Sequence, residues 1–352
     1  MNTILKTSID KLISHKLLTK EEFVALLNNN TQELRNELAN YATLAKQPHF
    51  GNQVYIRGLI EFTNYCKNDC YYCGIRCSNQ QLSRYRLTKI DILSCCKTGY
   101  DLGFRTFVLQ GGEDPYYNDN RMSDIVSTIH STYPDCAITL SLGERSYESY
   151  KQLYEAGASR YLLRHETANI DHYNKLHPNN MSYQNRMNCL YHLKDIGYQV
   201  GCGFMVGAPF QTTEHLAEDL LFIQEFQPDM VGIGPYLSHK DTPFHNQPSG
   251  SLEDTLLLLS ILRLMRPDLL LPATTALGTI APDGREQGIM AGANVIMPNL
   301  SPSNVRQQYS LYDNKACFGN EAAEGLEDIQ KRLQSIGHEI TINRGDAPIT
   351  NR

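Results

Sequence analysis

The residues of this sequence that are best suited to chemistry are four cysteines within twelve positions, Cys66, Cys70, Cys73 and Cys77. The other six cysteines are adjacent or scattered, at Cys95, Cys96, Cys136, Cys189, Cys202 and Cys317. A chain of this length needs no disulfides to hold its core, and its N-terminus lacks the continuous apolar stretch of a signal peptide. Clustered thiols in such a protein predict metal or redox chemistry rather than cross-links.

Cys66, Cys70 and Cys73 form a C-x3-C-x2-C motif directly after an apolar run. Three thiolates suit three irons of a 4Fe-4S cluster, because cluster iron is held by cysteine sulfur. The fourth iron then lacks a protein ligand and can bind a small molecule, which is the arrangement needed to cleave S-adenosylmethionine (SAM) reductively. In this interpretation Cys77 is a packing thiol. As a fourth ligand, Cys77 would instead give a structural zinc site or an electron-transfer cluster without catalytic activity.

Composition excludes several function classes. The 352 residues include 32 Lys and Arg against 38 Asp and Glu, a net charge of −6, which argues against a dominant basic surface for nucleic acid or anionic lipid. No apolar run approaches the roughly 18 residues of a membrane span. With 41% hydrophobic and 20% charged residues, the chain is expected to fold as a cytoplasmic globular protein.

The elements that must position the cysteines alternate between strands and helices from residue 54 onward. Eight runs are predicted as strands, at 54–62, 104–110, 136–142, 159–165, 198–205, 229–234, 269–275 and 294–298. Helices are predicted between them at about 88–102, 120–132, 146–156, 182–196, 213–226, 251–265 and 283–291, with another at 324–336. Eight strands with helices between them predict a parallel (βα)8 TIM barrel, and a doubly wound sheet is the alternative.

The termini lie outside this rhythm. Thr19 and Glu22 form a capping box, and a second helix is predicted from Thr31 to Ala45, followed by a break at Pro48 and Gly51. We therefore expect an N-terminal helical extension over 1–50, the barrel over 51–315, and a short helical tail over 316–352 that packs on or beside the barrel. In a barrel the cysteines would lie in the first loop at the C-terminal face, where barrel active sites are found.

The sequence resembles the radical-SAM enzymes and, among them, the HydE family of FeFe-hydrogenase maturases. The resemblance covers about residues 50–315. It is carried by EFTNYCKNDCYYCGIR (61–76), RYRLT (84–88), VLQGGEDPYY (108–117), TLSLGE (139–144), RYLLRHETAN (160–169), NRMNCL (185–190), MVGAPFQT (205–212), DMVGIGPY (229–236), LPATTALGTI (271–280) and GANVIMPN (292–299). The related 3-methylornithine synthase and biotin synthase share the cluster motif but match less well at RHETAN, PATTA and NVIMPN.

The resemblance implies one 4Fe-4S cluster on Cys66, Cys70 and Cys73, with SAM on the fourth iron. It also implies SAM contacts from Tyr72, Gln110, Gly111, Gly112, Glu113, Glu166, Arg186 and Met205. Physical chemistry agrees with several of these roles: an aromatic face suits adenine, glycines admit close approach of a ligand, and a guanidinium suits the carboxylate of SAM. The alternatives are loop packing, a simple turn, and ion pairs within the site.

A second set of residues is expected to line the cavity and contact substrate: Thr139, Arg160, Arg164, Thr274, Thr275, Met297 and Tyr312. A guanidinium with several hydroxyls suits an anionic iron–cyanide or carboxylate substrate. An internal hydrogen-bond network is the alternative, because buried polar groups need partners. His165 could be a core histidine or a substrate ligand, and its role stays open.

The activity that the resemblance implies is SAM cleavage to a 5′-deoxyadenosyl radical during assembly of the hydrogenase di-iron cofactor, the H-cluster. The substrate would be a small organometallic or cysteine-derived molecule. The implied partners are a tyrosine-lyase maturase that supplies it and a GTPase scaffold that receives the product. The alternative enzyme class is a radical mutase or synthase on an amino-acid-like substrate, of the 3-methylornithine synthase or biotin synthase type.

Three departures from the family pattern stand out. Cys317 matches the first of three cysteines that hold an accessory cluster in some members, but no CxxC follows between Phe318 and Ile336, so we expect no second cluster. Cys136 and Cys202 do not complete a sulfur-donating cluster of the biotin synthase kind. Phe210 stands where a glycine is expected.

Overall fold

The computed structural model describes residues 3–317, 319 and 322–348. Three helices precede the first strand: α1 (Thr3–Ile13), α2 (Lys20–Leu27) and α3 (Gln32–Phe50). The predicted capping box is confirmed, because the Thr19 hydroxyl accepts from the Glu22 N–H and the Glu22 carboxylate accepts from the Thr19 N–H.

The prediction that the helix beginning near Thr31 ends at Ala45 with a break at Pro48 is wrong, because α3 continues through Pro48 to Phe50. The predicted break at Gly51 is confirmed, since Gly51 is the C-cap residue of α3. A proline inside a helix loses one backbone hydrogen bond. Here tertiary packing compensates: the Phe50 ring is buried with Met230, Leu270 and Val295 at the end of the barrel.

The remaining strands and helices follow the predicted alternation. The strands are β1 (Gln53–Ile56), β2 (Gly58–Thr63), β3 (Thr106–Gly111), β4 (Ala137–Ser141), β5 (Arg160–Leu162), β6 (Gln199–Cys202), β7 (Met205–Val206), β8 (Met230–Val231), β9 (Gly234–Pro235), β10 (Val295–Ile296) and β11 (Glu339–Thr341). The helices are α4 (Lys89–Asp101), α5 (Asp119–Thr132), α6 (Tyr147–Glu155), α7 (Ile170–Leu176), α8 (Tyr183–Ile196), α9 (Thr213–Phe226), α10 (Leu252–Met265), α11 (Thr275–Ile280), α12 (Gly284–Met290), α13 (Ser303–Arg306) and α14 (Leu326–Ser335), with a 3-10 turn at Ala323–Gly325.

The parallel strands close into a barrel. β2, β3, β4, β5, β6 and β8 form one six-stranded parallel sheet in that order. The ring is completed by parallel bridges, listed in order around the barrel: Met230 to Leu270, Pro272 to Val295, and Leu59 to Asn299. The predicted (βα)8 fold is therefore confirmed, and the open doubly wound sheet does not form.

The seventh predicted strand, 269–275, is only partly present. Backbone bridges occur at Leu270 and Pro272, but Thr274 is the N-cap residue of α11, and Thr275 is the first residue of that helix. Conversely, β11 was not predicted. It pairs in parallel with β1, from Gln53 with Glu339 to Tyr55 with Thr341, so the C-terminal segment lies beside the start of the barrel.

The interior is apolar where strands meet helices, and α10 is buried along most of its length between the barrel and α3. The C-terminal ends of β2, β3, β4 and β5 lead into the segments that carry the candidate site, as in other barrels. Within the described ranges, no helix is both long and apolar enough to cross a membrane.

Candidate active site

The loop after β2 carries the three predicted cluster cysteines. Backbone hydrogen bonds connect this loop to the turn after β3, to the end of α7 and to the segment that follows α13 (residues 307–315). They run from Lys67 N to Glu113 O (2.9 Å), from Tyr71 N to Leu176 O (3.0 Å) and from Gly74 N to Leu311 O (2.8 Å). The loop is therefore held at the C-terminal end of the barrel by elements that are distant in sequence.

Cys66, Cys70 and Cys73 are part-buried, and burial raises the pKa of each thiol, that of Cys73 to about 12. Cys73 and Cys66, when ionised, further raise the pKa of Cys70, because a second negative charge nearby is unfavourable. In the part of the chain that the structure describes, no three His, Cys, Asp or Glu side chains are placed to hold one metal ion. A 4Fe-4S cluster needs a different arrangement, because each thiolate binds its own iron and the irons supply the positive charge that buried thiolates lack. The donor set therefore fits the cluster.

Cys77 differs from the other three cysteines of the loop. Its side chain is exposed, and its N–H donates to the carbonyl of Asn68 at 2.9 Å. Desolvation and the nearby Asp69 carboxylate, which pairs with Arg76 at 2.6 Å, raise the pKa of Cys77. The structure thus places Cys77 at the surface of the loop.

The turn after β3 packs tightly against the cysteine loop. A Cβ on Gly112 would lie 2.2 Å from the carbonyl oxygen of Tyr65, so a side chain has no room there. The Glu113 carboxylate accepts from the Glu144 N–H at 2.9 Å and lies 3.3 Å from Lys67 Nζ. Gly143 has φ 74°, and a Cβ there would lie 2.1 Å from Glu113 Cγ. Glycine at position 143 is required for this carboxylate to fit.

Two other predicted residues of this turn have separate positions. Gln110 Nε2 lies 3.4 Å from the Tyr309 hydroxyl, so the Gln110 side chain extends towards the segment after α13. Gly111 is the last residue of β3, and a Cβ there would lie 2.7 Å from Thr63 Cγ2.

Charged side chains converge opposite this turn. Arg186 on α8 is buried, and its Nε lies 2.7 Å from Glu144 Oε1, without the alignment of a good hydrogen bond. Burial opposes the charge of Arg186, yet the Glu144 and Glu113 carboxylates raise its pKa well above the usual value. Arg164 Nη2 lies 3.3 Å from Glu166 Oε2, and neither atom has a hydrogen-bond partner. These polar groups can therefore accept a polar ligand.

Glu166 has an unusual backbone. Its φ is 67°, a left-handed conformation that residues other than glycine rarely adopt, and its N–H donates to the carbonyl of Gly203 at 3.0 Å. Strained residues of this kind cluster at functional sites, because the surrounding structure must hold them. The strain supports the prediction that the position of the Glu166 carboxylate matters.

Tyr72 and Met205 are brought together by an apolar group beside the cysteines. The Tyr72 ring packs against the group formed by Leu176, Met205, Ala208, Tyr236 and Phe244. The Tyr72 hydroxyl lies 3.2 Å from His177 Nε2. An aromatic face and a thioether that share one wall can contact a flat apolar ring system.

The predicted substrate residues do not form one group. Thr139 Oγ1 and Thr274 Oγ1 are buried without hydrogen-bond partners, and Thr275 begins α11 beside Thr274. Met297 packs with the apolar group of Phe50 and Met230 at the other end of the barrel. The backbone carbonyl of Tyr312 accepts from the Ser310 hydroxyl at 3.3 Å.

Arg160 lies at the start of β5 rather than at its C-terminal end. It is fully buried, and its Nη2 lies 2.7 Å from Asp346 Oδ1 and 2.6 Å from the carbonyl oxygen of Arg344. Its Nη1 donates to the Thr106 hydroxyl at 3.1 Å. These partners fit the internal network that was the alternative for this set, and a substrate contact by Arg160 stays a prediction.

His165 is buried in a similar network. Its Nε2 lies 3.2 Å from Asp219 Oδ1, and its Nδ1 accepts from the Gly203 N–H at 3.3 Å. Phe210 has φ 65° and is about half exposed. This left-handed backbone explains in physical terms why a glycine was expected there. Cys317 is buried, and Phe318 lies outside the described residues.

Several site residues were not predicted from the sequence. Glu144 lies two residues after the third predicted strand, 136–142, so the rule that barrel sites lie at strand ends could have found it. His177 and Lys67 carry no comparable signal, because their partners Tyr72 and Glu113 become neighbours only in the fold. Arg57 is also buried inside the barrel, with Nη1 2.9 Å from Met230 Sδ and with Nε and Nη2 unpartnered.

Comparisons with known proteins agree with this geometry. A sequence model of the Radical SAM superfamily matches residues 60–223, from β2 to α9. The [FeFe] hydrogenase maturase subunit HydE of Thermotoga maritima is 44% identical over 92% of this chain and 92% of its own length. The 3-methylornithine synthase of Methanosarcina barkeri is 31% identical over 93% and 92%. The crystal structure of methylornithine synthase (PylB) superposes with a TM-score of 0.84 at 30% identity, covering 94% of this chain and 96% of that one.

Proposed function

Because the chain belongs to the radical SAM superfamily and, within it, to the family of HydE, we propose that it cleaves SAM to a 5′-deoxyadenosyl radical during assembly of the FeFe-hydrogenase di-iron cofactor. The observation that carries the proposal is a loop with three part-buried cysteines whose start, at Cys66, packs against the Gly111–Glu113 turn at the C-terminal end of the barrel. This arrangement places thiols beside polar groups that suit a zwitterionic ligand.

Cys66, Cys70 and Cys73 would hold the 4Fe-4S cluster and leave one iron without a protein ligand. The cluster, when bound, supplies the electron that breaks a carbon–sulfur bond of SAM. The residues of the chain bind and orient SAM. Its amino group would meet the turn Gln110, Gly111, Gly112 and Glu113, and the adenine would contact Tyr72 and Met205.

The carboxylate of SAM is assigned to Arg186, whose guanidinium is buried but poorly aligned with Glu144. A better-aligned carboxylate can share this guanidinium, because an arginine fork presents several donors. Glu166 is assigned to the ribose or the amino group. Its buried Oε2 lacks a hydrogen-bond partner, and a buried polar atom of this kind favours a ligand that supplies one.

The substrate cavity would extend into the barrel below SAM. Thr139, Arg164 and Thr274 offer unpartnered buried donors, which suit a small anionic organometallic or cysteine-derived molecule. Thr275, Arg160, Met297 and Tyr312 are assigned to the same lining with less support from their contacts. His165 is assigned to the core, since its partners are protein groups.

We also propose the cellular context. The protein would act in the cytoplasm with a tyrosine-lyase maturase and a GTPase scaffold, without nucleic acid or membrane. The proposed domains are an N-terminal helical extension over 1–50, a catalytic barrel over 51–315, and a tail over 316–352 that packs on or beside the barrel.

The proposal is tested in cells that express an FeFe-hydrogenase but lack their own HydE. This chain should restore hydrogenase activity, and Cys73→Ala should not, because the cluster loses one ligand. Cys77→Ala is the matched control in the same loop and should restore activity like the wild type. No restoration by a soluble, iron-loaded protein would contradict the proposal.

The similarity to 3-methylornithine synthase supports a second candidate function. Anaerobic incubation of the reduced, cluster-loaded protein with lysine and SAM discriminates between the two. We expect 5′-deoxyadenosine at no more than its substrate-free rate and no methylornithine. Formation of methylornithine would replace the maturase assignment with the synthase assignment.

A further inference from the structure

The end of α7 and the segment after it contact three successive residues of the cysteine loop. The Tyr71 N–H donates to the carbonyl of Leu176 at 3.0 Å. The Cys70 sulfur lies 3.7 Å from the thioether of Met181. Between these contacts, the Tyr72 hydroxyl meets a ring nitrogen of His177 at 3.2 Å.

The second ring nitrogen of His177 also has a hydrogen-bond partner. The His177 side chain is 1% exposed, and its Nδ1 lies 2.9 Å from the carbonyl oxygen of Tyr173. A carbonyl only accepts, so Nδ1 carries the hydrogen, Nε2 has the lone pair, and Tyr72 donates its hydroxyl hydrogen. The imidazole also stacks on the Tyr173 ring, with centroids 4.0 Å apart and an interplanar angle of 25°.

The Tyr72 ring is fixed in two ways by this imidazole. Its hydroxyl has a hydrogen-bond acceptor, and the two rings meet edge to face, with centroids 5.5 Å apart and an interplanar angle of 86°. The Tyr72 side chain is only part-buried, so without this anchor its ring could leave the wall that it shares with Met205.

We propose that His177 is a positioning residue of the SAM site, which acts by holding Tyr72 in the orientation that receives the adenine. The inference rests on the proposed function, because it takes the Tyr72 ring as part of the adenine wall. His177 itself need not touch SAM. Its contribution is to set the ring before SAM binds, so that less freedom is lost on binding.

A second buried histidine, inside α7, provides a matched control. His172 is also fully buried, and its ring nitrogens lie 3.0 Å from the Thr167 hydroxyl and 3.0 Å from the carbonyl oxygen of Pro209. It stacks on His215, and its hydrogen-bond partners and its stacking partner all lie outside the cysteine loop. Replacing His172 tests the general effect of removing a buried histidine from α7.

The experiment compares His177→Phe, which keeps an aromatic ring but removes the acceptor, with His172→Phe. Both are studied as cluster-loaded protein, with iron content measured first. In His177→Phe we expect the Kd and the KM for SAM to rise about tenfold, with kcat for 5′-deoxyadenosine within twofold of wild type. In His172→Phe we expect both within twofold of wild type.

A double-mutant cycle with Tyr72→Phe separates positioning from general destabilisation. If His177 acts through the Tyr72 hydroxyl, then Tyr72→Phe and the double variant should match His177→Phe, because the same contact is lost each time. His177→Gln, whose amide oxygen can accept from Tyr72, should recover part of the lost affinity. Additive losses, or no difference between His177→Phe and His172→Phe, would overturn the proposal.

A readout without cofactor covers a variant that loads its cluster poorly. With 3-fluorotyrosine at position 72, the ¹⁹F resonance of the apo protein should shift or broaden in His177→Phe and stay unchanged in His172→Phe. An identical spectrum in His177→Phe would also overturn the proposal. Failure of the proposed function looks different, because the wild type itself would then neither bind SAM nor form 5′-deoxyadenosine.

Discussion

The ion pair between Glu61 in β2 and Lys315 in the segment after α13 gives a quantitative prediction. Glu61 is fully buried in β2, and its Oε1 lies 2.6 Å from Nζ of Lys315, whose side chain is 8% exposed. Asn299 Nδ2 donates to the other carboxylate oxygen at 2.8 Å. Glu61 stands just before the cysteine loop, so this pair helps to hold the base of the site.

Lys315→Met removes the ammonium group and keeps a side chain of similar length. The Glu61 carboxylate is then buried with Asn299 as its remaining side-chain partner, and breaking a buried pair in this way costs about 3–5 kcal/mol. Apolar burial of the methionine returns about 1 kcal/mol. The free energy of unfolding should therefore fall by about 2–4 kcal/mol.

The double variant Glu61→Gln with Lys315→Met leaves no buried charge, and the amide can still accept from Asn299. Its free energy of unfolding should return to within about 1 kcal/mol of wild type, because a buried pair can be replaced by neutral groups at little cost. Lys97→Met is the control. It breaks an exposed pair with Asp101, whose side chains are 70% and 59% exposed, and should change stability by at most about 0.5 kcal/mol.

The assay is urea unfolding of the apo protein followed by far-ultraviolet circular dichroism, since the chain contains no tryptophan. The reasoning is refuted if Lys315→Met is as stable as Lys97→Met. It is also refuted if the double variant is less stable than Lys315→Met alone.

Three further predictions concern the loops and helices around the site. Cys77→Ala should bind as much iron as wild type, because the Cys77 thiol lies at the loop surface. Iron analysis after anaerobic reconstitution checks this, and loss of all metal would favour a four-cysteine site. Phe210→Gly should unfold at an equal or higher urea concentration than wild type. Relief of the left-handed backbone stabilises the variant by about 1–2 kcal/mol, and the flexibility of glycine in the unfolded chain costs about 0.5–1 kcal/mol. A clear loss of stability would show that the Phe210 ring stabilises the fold. Desolvation, with a smaller contribution from the His215 charge, lowers the pKa of His172 from 6.5 to about 4. Between pH 6.5 and pH 4 the unfolded chain therefore binds a proton that the folded protein does not. As the pH falls through this range, the free energy of unfolding decreases by about 1.4 kcal/mol per pH unit. Urea titrations from pH 7 to pH 4 should show a shallower loss in His172→Phe than in wild type, and equal slopes would contradict the assigned burial effect.

The barrel could be predicted from the sequence because its signals are local. Alternating apolar runs mark the βα units, helix caps such as Thr88 with Asp91 mark several of them, and eight units imply closure. The prediction is wrong where tertiary contacts outweigh local preference. Phe50 is buried beyond Pro48, and the helix α11 begins just after Thr274, within a run that resembles a strand.

The site was predicted where its residues follow one another in a loop or end a strand. The cysteines, the glycine turn and Glu166 are of this kind. Its support was not predicted, because Lys315 and Glu61 are 254 positions apart and His177 and Tyr72 are 105 positions apart. Such pairs are determined by barrel closure, and spacing within one sequence does not report it.

The central claim is that Cys66, Cys70 and Cys73 hold a 4Fe-4S cluster with one iron open to SAM. The most direct measurement is electron paramagnetic resonance of the anaerobically reconstituted, reduced protein with and without SAM, with 5′-deoxyadenosine assayed in the same sample. We predict a 4Fe-4S signal that changes when SAM is added, together with formation of 5′-deoxyadenosine. A cluster signal that is indifferent to SAM, or bound zinc without iron, would contradict the account.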